Sequence, residues 1–222
     1  LSSQEIRIYR DLMGANEKWA RENRARLEDR GILMLNLIGS PGSGKTTLLE
    51  GMVTRLKRGT RFAVLEGDVE TTRDAERLHA LDVAVSQLLS GGACHLEARL
   101  VNRALGDLDL DALDLVFVEN VGNLVCPAEF DIGEAAKVAV LSITEGEEKP
   151  LKYPLLFREA EAVVLTKVDL LPHLPFDLAA CRDHLRQVNG GLRVFEVSCT
   201  TGEGVDAFTD WVLACRKRVG RS

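Results

Sequence analysis

Eight consecutive residues, Gly39-Ser40-Pro41-Gly42-Ser43-Gly44-Lys45-Thr46, match the pattern G-x-x-x-x-G-K-[ST] at every position. No other stretch limits the possible folds as much, because this pattern belongs between a buried strand and a helix. Both flanks are present. The apolar run 32–38, interrupted only by Asn36, reads as a buried strand, and Thr47-Leu48-Leu49-Glu50-Gly51-Met52-Val53 reads as the start of a helix. In that setting the loop N–H groups and the helix N-terminus cradle phosphates. Lys45 then reaches the β- and γ-phosphates, and the Thr46 hydroxyl sits on Mg²⁺. Residues 39–46, with Thr47 beside them, are thus expected to bind a nucleoside triphosphate.

The rest of the chain repeats the alternation. Strands are expected at 32–38, 61–66, 83–88, 114–121, 137–143, 162–167 and 193–198. Helices are expected near 45–57, 71–80, 95–106, 152–160, 177–188 and 205–218. This order predicts an α/β, three-layer fold with a mostly parallel sheet of about seven strands, covered on both faces. Ahead of it, residues 1–30 read as an amphipathic helix, interrupted near Gly14 and ended by Gly31. Residues 31–222 form the nucleotide-binding domain. The stretch 106–111 reads as an acidic surface loop. With 222 residues, 45% of them hydrophobic, there is material for one sizeable core.

A net charge of −6 and the lack of a basic stripe argue against a nucleic-acid partner. Arg216-Lys217-Arg218 reads as a solvated helix end. There is no apolar run of about 18 residues to span a membrane, and no signal-peptide pattern. Five cysteines without disulfide-like spacing suggest the reducing cytoplasm. The chain opens on Leu1 and not Met, so a preceding segment is expected.

Thr166-Lys167-Val168-Asp169 follows an apolar strand and matches [NT]-K-x-D. A carboxylate there can accept from N1–H and the 2-amino group of guanine, a donor pair that adenine lacks. Lys167 packs along base and ribose, and Ser198-Cys199-Thr200, closing the last strand, matches the loop that touches the guanine oxygen. The expected ligand is therefore GTP with Mg²⁺. Glu119 ends a strand and Gly122 follows three residues later, where an acid serves the Mg²⁺ and a glycine N–H meets the γ-phosphate. Asp68 and Asp74 are further Mg²⁺ candidates, although Asp74 serves equally well as a helix cap. Asn123 stands where a water-orienting glutamine would help, and no arginine finger is identifiable. GTP hydrolysis is expected to be intrinsically slow.

Cys94-His95 and the distant Cys126 combine thiolate and imidazole donors suited to Ni²⁺ or Zn²⁺, one ligand short of a tetrahedron. Spacing alone leaves two readings open, a metal site and packed core side chains. Cys181 and Cys215 read as core thiols.

The strings Glu66-Gly67-Asp68, Cys94-His95-Leu96-Glu97-Ala98, Glu119-Asn120-Val121-Gly122-Asn123-Leu124-Val125-Cys126-Pro127 and Thr144-Glu145-Gly146-Glu147-Glu148-Lys149-Pro150-Leu151-Lys152-Tyr153-Pro154 resemble the nickel-insertion GTPases of NiFe-hydrogenase maturation, the HypB type. The resemblance runs from the phosphate loop to the chain end. It implies a GTP-hydrolysing homodimer that binds Ni²⁺ or Zn²⁺ through Cys94, His95 and Cys126, with Asp74 and Glu119 on the Mg²⁺ side. It also implies a small nickel metallochaperone partner and a hydrogenase large-subunit precursor as recipient. Glu97 replaces the usual aspartate, and Gly92-Ala93 replaces a lysine common before the cysteine. No cysteine motif or histidine-rich stretch for extra nickel is visible near the start. Alternatives are a delivery GTPase for urease or a cobalamin enzyme, and a nickel-binding dimer with negligible turnover. A proline between the cysteine and histidine would mark the urease type, and Cys94-His95 has none.

Overall fold

The computed structural model describes residues 3–67, 73–88 and 93–219, with backbone alone for 3–12 and 73–76. Seven strands form one sheet: β1 (Leu33–Gly39), β2 (Phe62–Glu66), β3 (Ala84–Gln87), β4 (Leu115–Glu119), β5 (Ala136–Ser142), β6 (Ala160–Thr166) and β7 (Arg193–Val197). Their order is β3-β2-β4-β1-β5-β6-β7, and every pairing is parallel. Each expected strand is present. β4 stops at Glu119 and not at residue 121, because the Asn120 side chain takes up the Val121 N–H.

The helices are α1 (Ser3–Glu28), α2 (Lys45–Leu56), α3 (Arg73–Ala80), α4 (Ala98–Asp107), α5 (Cys126–Glu129), α6 (Lys149–Lys152), α7 (Pro154–Glu159), α8 (Leu178–Val188) and α9 (Val205–Val219). Side chains alternate across a strand, so β1 feeds opposite layers. Leu33, Leu35 and Leu37 pack with Leu48, Met52 and Phe208 of α2 and α9. Met34 faces Leu27 of α1 and Val101 of α4, while Ile38 joins Phe157 of α7 and Cys181 of α8. Cys181 and Cys215 are buried as expected of core thiols.

Three expectations change. α1 runs through Gly14 without a break. One glycine costs a helix about 1 kcal/mol, and the tertiary bonds of Asn16, Asn23 and Arg24 outweigh that. The helix expected from residue 95 starts only at Ala98, which leaves Cys94 and His95 on a bend before it. The acidic stretch 106–111 is not a free loop: it ends α4, enters a 3-10 turn and buries Leu110.

β1 is the centre of the topology. Its neighbours β4 and β5 lie on opposite sides, and the crevice at the carboxyl end of such a strand is where ligands bind in open α/β sheets.

Candidate functional site

The phosphate loop leaves β1 and enters α2 at that crevice. Gly42 (φ 72°) and Gly44 (φ 93°) are left-handed, a conformation that a side chain resists. A Cβ on Gly39 would run into the Val140 carbonyl and the Ser43 hydroxyl. Lys45 is buried, and its Nζ donates to the carbonyls of Gly39 (3.4 Å) and Ser40 (3.3 Å). The ammonium is therefore held at the mouth of the loop. Thr46 Oγ1 donates to Glu119 Oε1 at 2.8 Å, so the hydroxyl and acid expected to share an ion do meet. Glu66, buried beside Glu119 in the β2–β4 register, adds a second carboxylate. Hard oxygen donors of this kind fit Mg²⁺. Asp68 lies outside the described residues, as does the side chain of Asp74, whose backbone belongs to α3.

Thr166 and Lys167 are bonded directly to the phosphate loop. Thr166 Oγ1 donates to the Ser43 carbonyl at 2.6 Å, and Lys167 Nζ to that of Gly42 at 2.8 Å. Lys167 itself is left-handed, φ 63°, a strained state for a long side chain and one that collects at binding sites. Next to them a cavity of about 280 Å³ is lined by Thr47, Thr166, Lys167, Asp169, Cys199 and Thr200. The two segments singled out for base recognition thus converge with the loop on one space. Ser198 is buried, and its Oγ accepts the Thr201 N–H, which shapes the turn behind the cavity.

Gly122 abuts the loop from the other side. A Cβ there would stand 2.6 Å from Pro41 Cγ, so only glycine permits this approach. Four residues on, Cys126 begins α5. Its thiol, the Cys94 thiol and a His95 ring nitrogen all lie within 4.8 Å of one another. Cys94 Sγ is 3.5 Å from His95 Nδ1. Cys94 and Cys126, 32 positions apart in sequence, have been brought into one cluster instead of packing separately in the core. Cys94 is exposed and so is the adjoining Val125, 48% accessible. The cluster therefore opens at the surface, and its soft donors suit Ni²⁺ or Zn²⁺. Burial lowers the His95 pKa below its ordinary value, which keeps the ring neutral and able to ligate. The Cys126 thiol is pushed up, first by its hydrogen bond with Cys94.

Several site residues carry no motif of their own. Asn123 Nδ2 donates to the Cys94 carbonyl at 3.2 Å, while its Oδ1 accepts the Val125 N–H. Asn120 Oδ1 accepts from the N–H groups of Leu96 (3.3 Å) and Val121 (2.9 Å). Its amide then donates to Asn36, which donates to Glu134. Phe130 stacks on the His95 ring, centroids 3.8 Å apart. Asn36 left a trace in the sequence as the polar interruption of a buried strand, and Asn120 and Asn123 fell within the 119–127 string without a structural role being read for them; Phe130 left none.

A family model described as the CobW/HypB/UreG nucleotide-binding domain matches residues 33–196. The hydrogenase maturation factor HypB of Azotobacter vinelandii is 50% identical over 95% of this chain and 69% of its own length. A hydrogenase/urease maturation factor HypB from Helicobacter hepaticus is 40% identical over 96% of this chain and 88% of its own. Among solved structures, HypB from Helicobacter pylori in complex with nickel superposes with a TM-score of 0.88 at 34% identity, covering 94% and 98% of the two chains. Sequence, fold and site agree that the chain belongs to the CobW/HypB/UreG nucleotide-binding family, among its hydrogenase maturation factors.

Proposed function

We propose that this chain is a GTP-hydrolysing carrier that takes up Ni²⁺ at Cys94, His95 and Cys126 and supports nickel insertion into a NiFe hydrogenase. Asp169 pairs with the guanine edge, and Lys167 and Cys199-Thr200 enclose the base. Gly39–Thr46 hold the phosphates. Thr46 and Glu119 would hold Mg²⁺, which neutralises charge on the β- and γ-phosphate oxygens. Hydrolysis is attack by water on the γ-phosphate, with Lys45 and the loop N–H groups stabilising the charge that develops. Among the described residues no glutamine stands near Gly122 to orient that water, and the Asn123 amide is engaged with Cys94 and Val125. The intrinsic rate is accordingly slow.

The single observation that carries the carrier reading is the Asn123–Cys94 hydrogen bond. The segment that meets the γ-phosphate through Gly122 carries one thiol, at Cys126, and reaches the backbone carbonyl of the residue that carries the other, Cys94, through Asn123. A change in phosphate occupancy therefore has a differential interaction with the metal ligands, as a switch requires. Three ligands leave one tetrahedral position open, and the cluster sits at the surface beside exposed Val125. A homodimer, with the second copy completing or doubling the site, fits that placement. A small metallochaperone and the hydrogenase large-subunit precursor complete the proposed delivery path, in the cytoplasm.

Nickel titrations in GDP and in a non-hydrolysable GTP analogue test the reading, followed by the thiolate-to-metal charge-transfer band and by sedimentation. Affinity or stoichiometry is expected to differ between the two states. Cys126→Ala is expected to lose the band and keep guanine-nucleotide binding. Identical titrations and identical mass in both nucleotides would sink the switch.

A further inference from the structure

A metal-binding imidazole is ordinarily oriented by a hydrogen bond on its second ring nitrogen. His95 lacks this device. Nδ1 faces the Cys94 sulfur, and Nε2 is buried with no hydrogen-bond partner among the described residues. Something else must hold the ring.

Its plane is set by the Phe130 stack, with 29° between the rings. The stack is only as fixed as the two backbone segments that carry it, and both are gripped by α1. Asn16 Oδ1 accepts the Ala98 N–H at 2.9 Å, and its amide donates to the Asp131 carbonyl at 2.7 Å. Two turns along the same face, Asn23 donates to the Ala98 carbonyl (2.8 Å) and to the Ile132 carbonyl (2.9 Å). Each asparagine thus bridges the chain just after His95 to the chain just after Phe130. Asn23 has both amide hydrogens in use and its oxygen accepts from Asn102 at 2.8 Å. Arg24 adds a two-pronged contact to Asp131, 2.9 Å to each oxygen. Between ring and grip, Leu96 is buried, bonded to Asn120 and packed so closely on Gly67 that a Cβ there would be 2.6 Å from Leu96 Cδ1.

We propose that Asn16 and Asn23 are positioning residues for His95, and that α1 sets the geometry of the metal cluster from behind by holding the imidazole and Phe130 in register. The inference rests on the metal-carrying function proposed above. It assigns the N-terminal helix to the metal site and leaves the nucleotide site independent of it.

The test is Ni²⁺ titration of the full chain, read from the charge-transfer band, with GDP affinity measured in parallel. Asn16→Ala is expected to weaken Ni²⁺ binding by roughly tenfold, the low end of what losing a supporting partner costs a metal site, and to leave GDP affinity within about twofold. Asn23→Ala is expected to do the same; if its full burial prevents folding, Asn16→Ala decides. In a His95→Ala background, Asn16→Ala is expected to change Ni²⁺ affinity by less than about twofold, because the asparagine acts only through the imidazole. An undiminished Ni²⁺ affinity in Asn16→Ala overturns the inference. So does a loss of the same size in the His95→Ala background, or one matched by GDP affinity. Failure of the unmutated protein to give the band would instead remove the metal-carrying function, and this inference with it.

Discussion

At the scale of single residues, the proposed base choice hangs on one carboxylate. Asp169 lines the cavity together with Thr166 and Lys167, and in the function proposed above it would make two charge-assisted hydrogen bonds to guanine. Asp169→Ala is expected to lower GDP affinity on the order of a hundredfold, since hydrogen bonds to charged groups contribute about 1.5–3 kcal/mol each. Affinity for ADP is expected to stay unchanged. Competition against a fluorescent guanine nucleotide measures both. This residue was legible in the sequence because Thr166-Lys167-Val168-Asp169 is contiguous and ends a strand. The cysteine–histidine cluster was half legible. Its donor types were visible, but only the fold could bring Cys126 to Cys94. The supporting roles of Asn120, Asn123 and Phe130 were not legible, even though the two asparagines stand in the 119–127 string, because an asparagine or phenylalanine announces no partner until the fold supplies one.

Elements were read well where an apolar run was long and bounded. All seven strands are where the pattern put them, within a few residues. The misplacements share one cause, since each involves tertiary bonds that local pattern does not encode. α1 survives Gly14, β4 ends at the Asn120 turn, and α4 starts late because Leu96 is drawn to Gly67 and Asn120. Asn36 is the internal strut of this arrangement, tying β1 to Asn120 on one side and to Glu134 on the other. Glu134 is held above the ordinary carboxylate range chiefly by burial, and its second oxygen accepts the Ile132 N–H at 2.7 Å. Asn36→Ala leaves buried polar groups unpaired, at a cost of about 1–3 kcal/mol. Urea unfolding at fixed GDP concentration is expected to show that loss. A midpoint equal to the unmutated protein's would mean that the network is not a strut.

For the whole molecule, the two ends of the sheet do different work. The carboxyl ends of the strands carry both candidate sites, and the amino ends are clamped. There Asp114 accepts from the Arg61 N–H and guanidinium and from Arg216 of α9. The basic end of α9 is thus partly engaged and not merely solvated. Although burial alone would raise it, these bonds depress the Asp114 pKa from 3.8 to about 2. A depressed acid stabilises the fold fully above its unfolded value and loses that contribution as pH falls through its folded value. Asp114→Asn is therefore expected to be less stable than the unmutated protein at neutral pH. The gap should close between about pH 4 and about pH 2, the window set by those two values. Thermal melts across that range check it, and a gap that persists at the acid end would mean that the carboxylate's charge is not the cause.

The hydrogen bonds from Thr166 and Lys167 to the carbonyls of Ser43 and Gly42 have a pharmacological side. They make the shape of the phosphate cradle depend on what occupies the corner next to it. A molecule that fills the cavity beside Asp169 would sit against both of these donors without needing a phosphate of its own. Ligands for this corner can therefore be sought among uncharged compounds as well as among phosphate mimics.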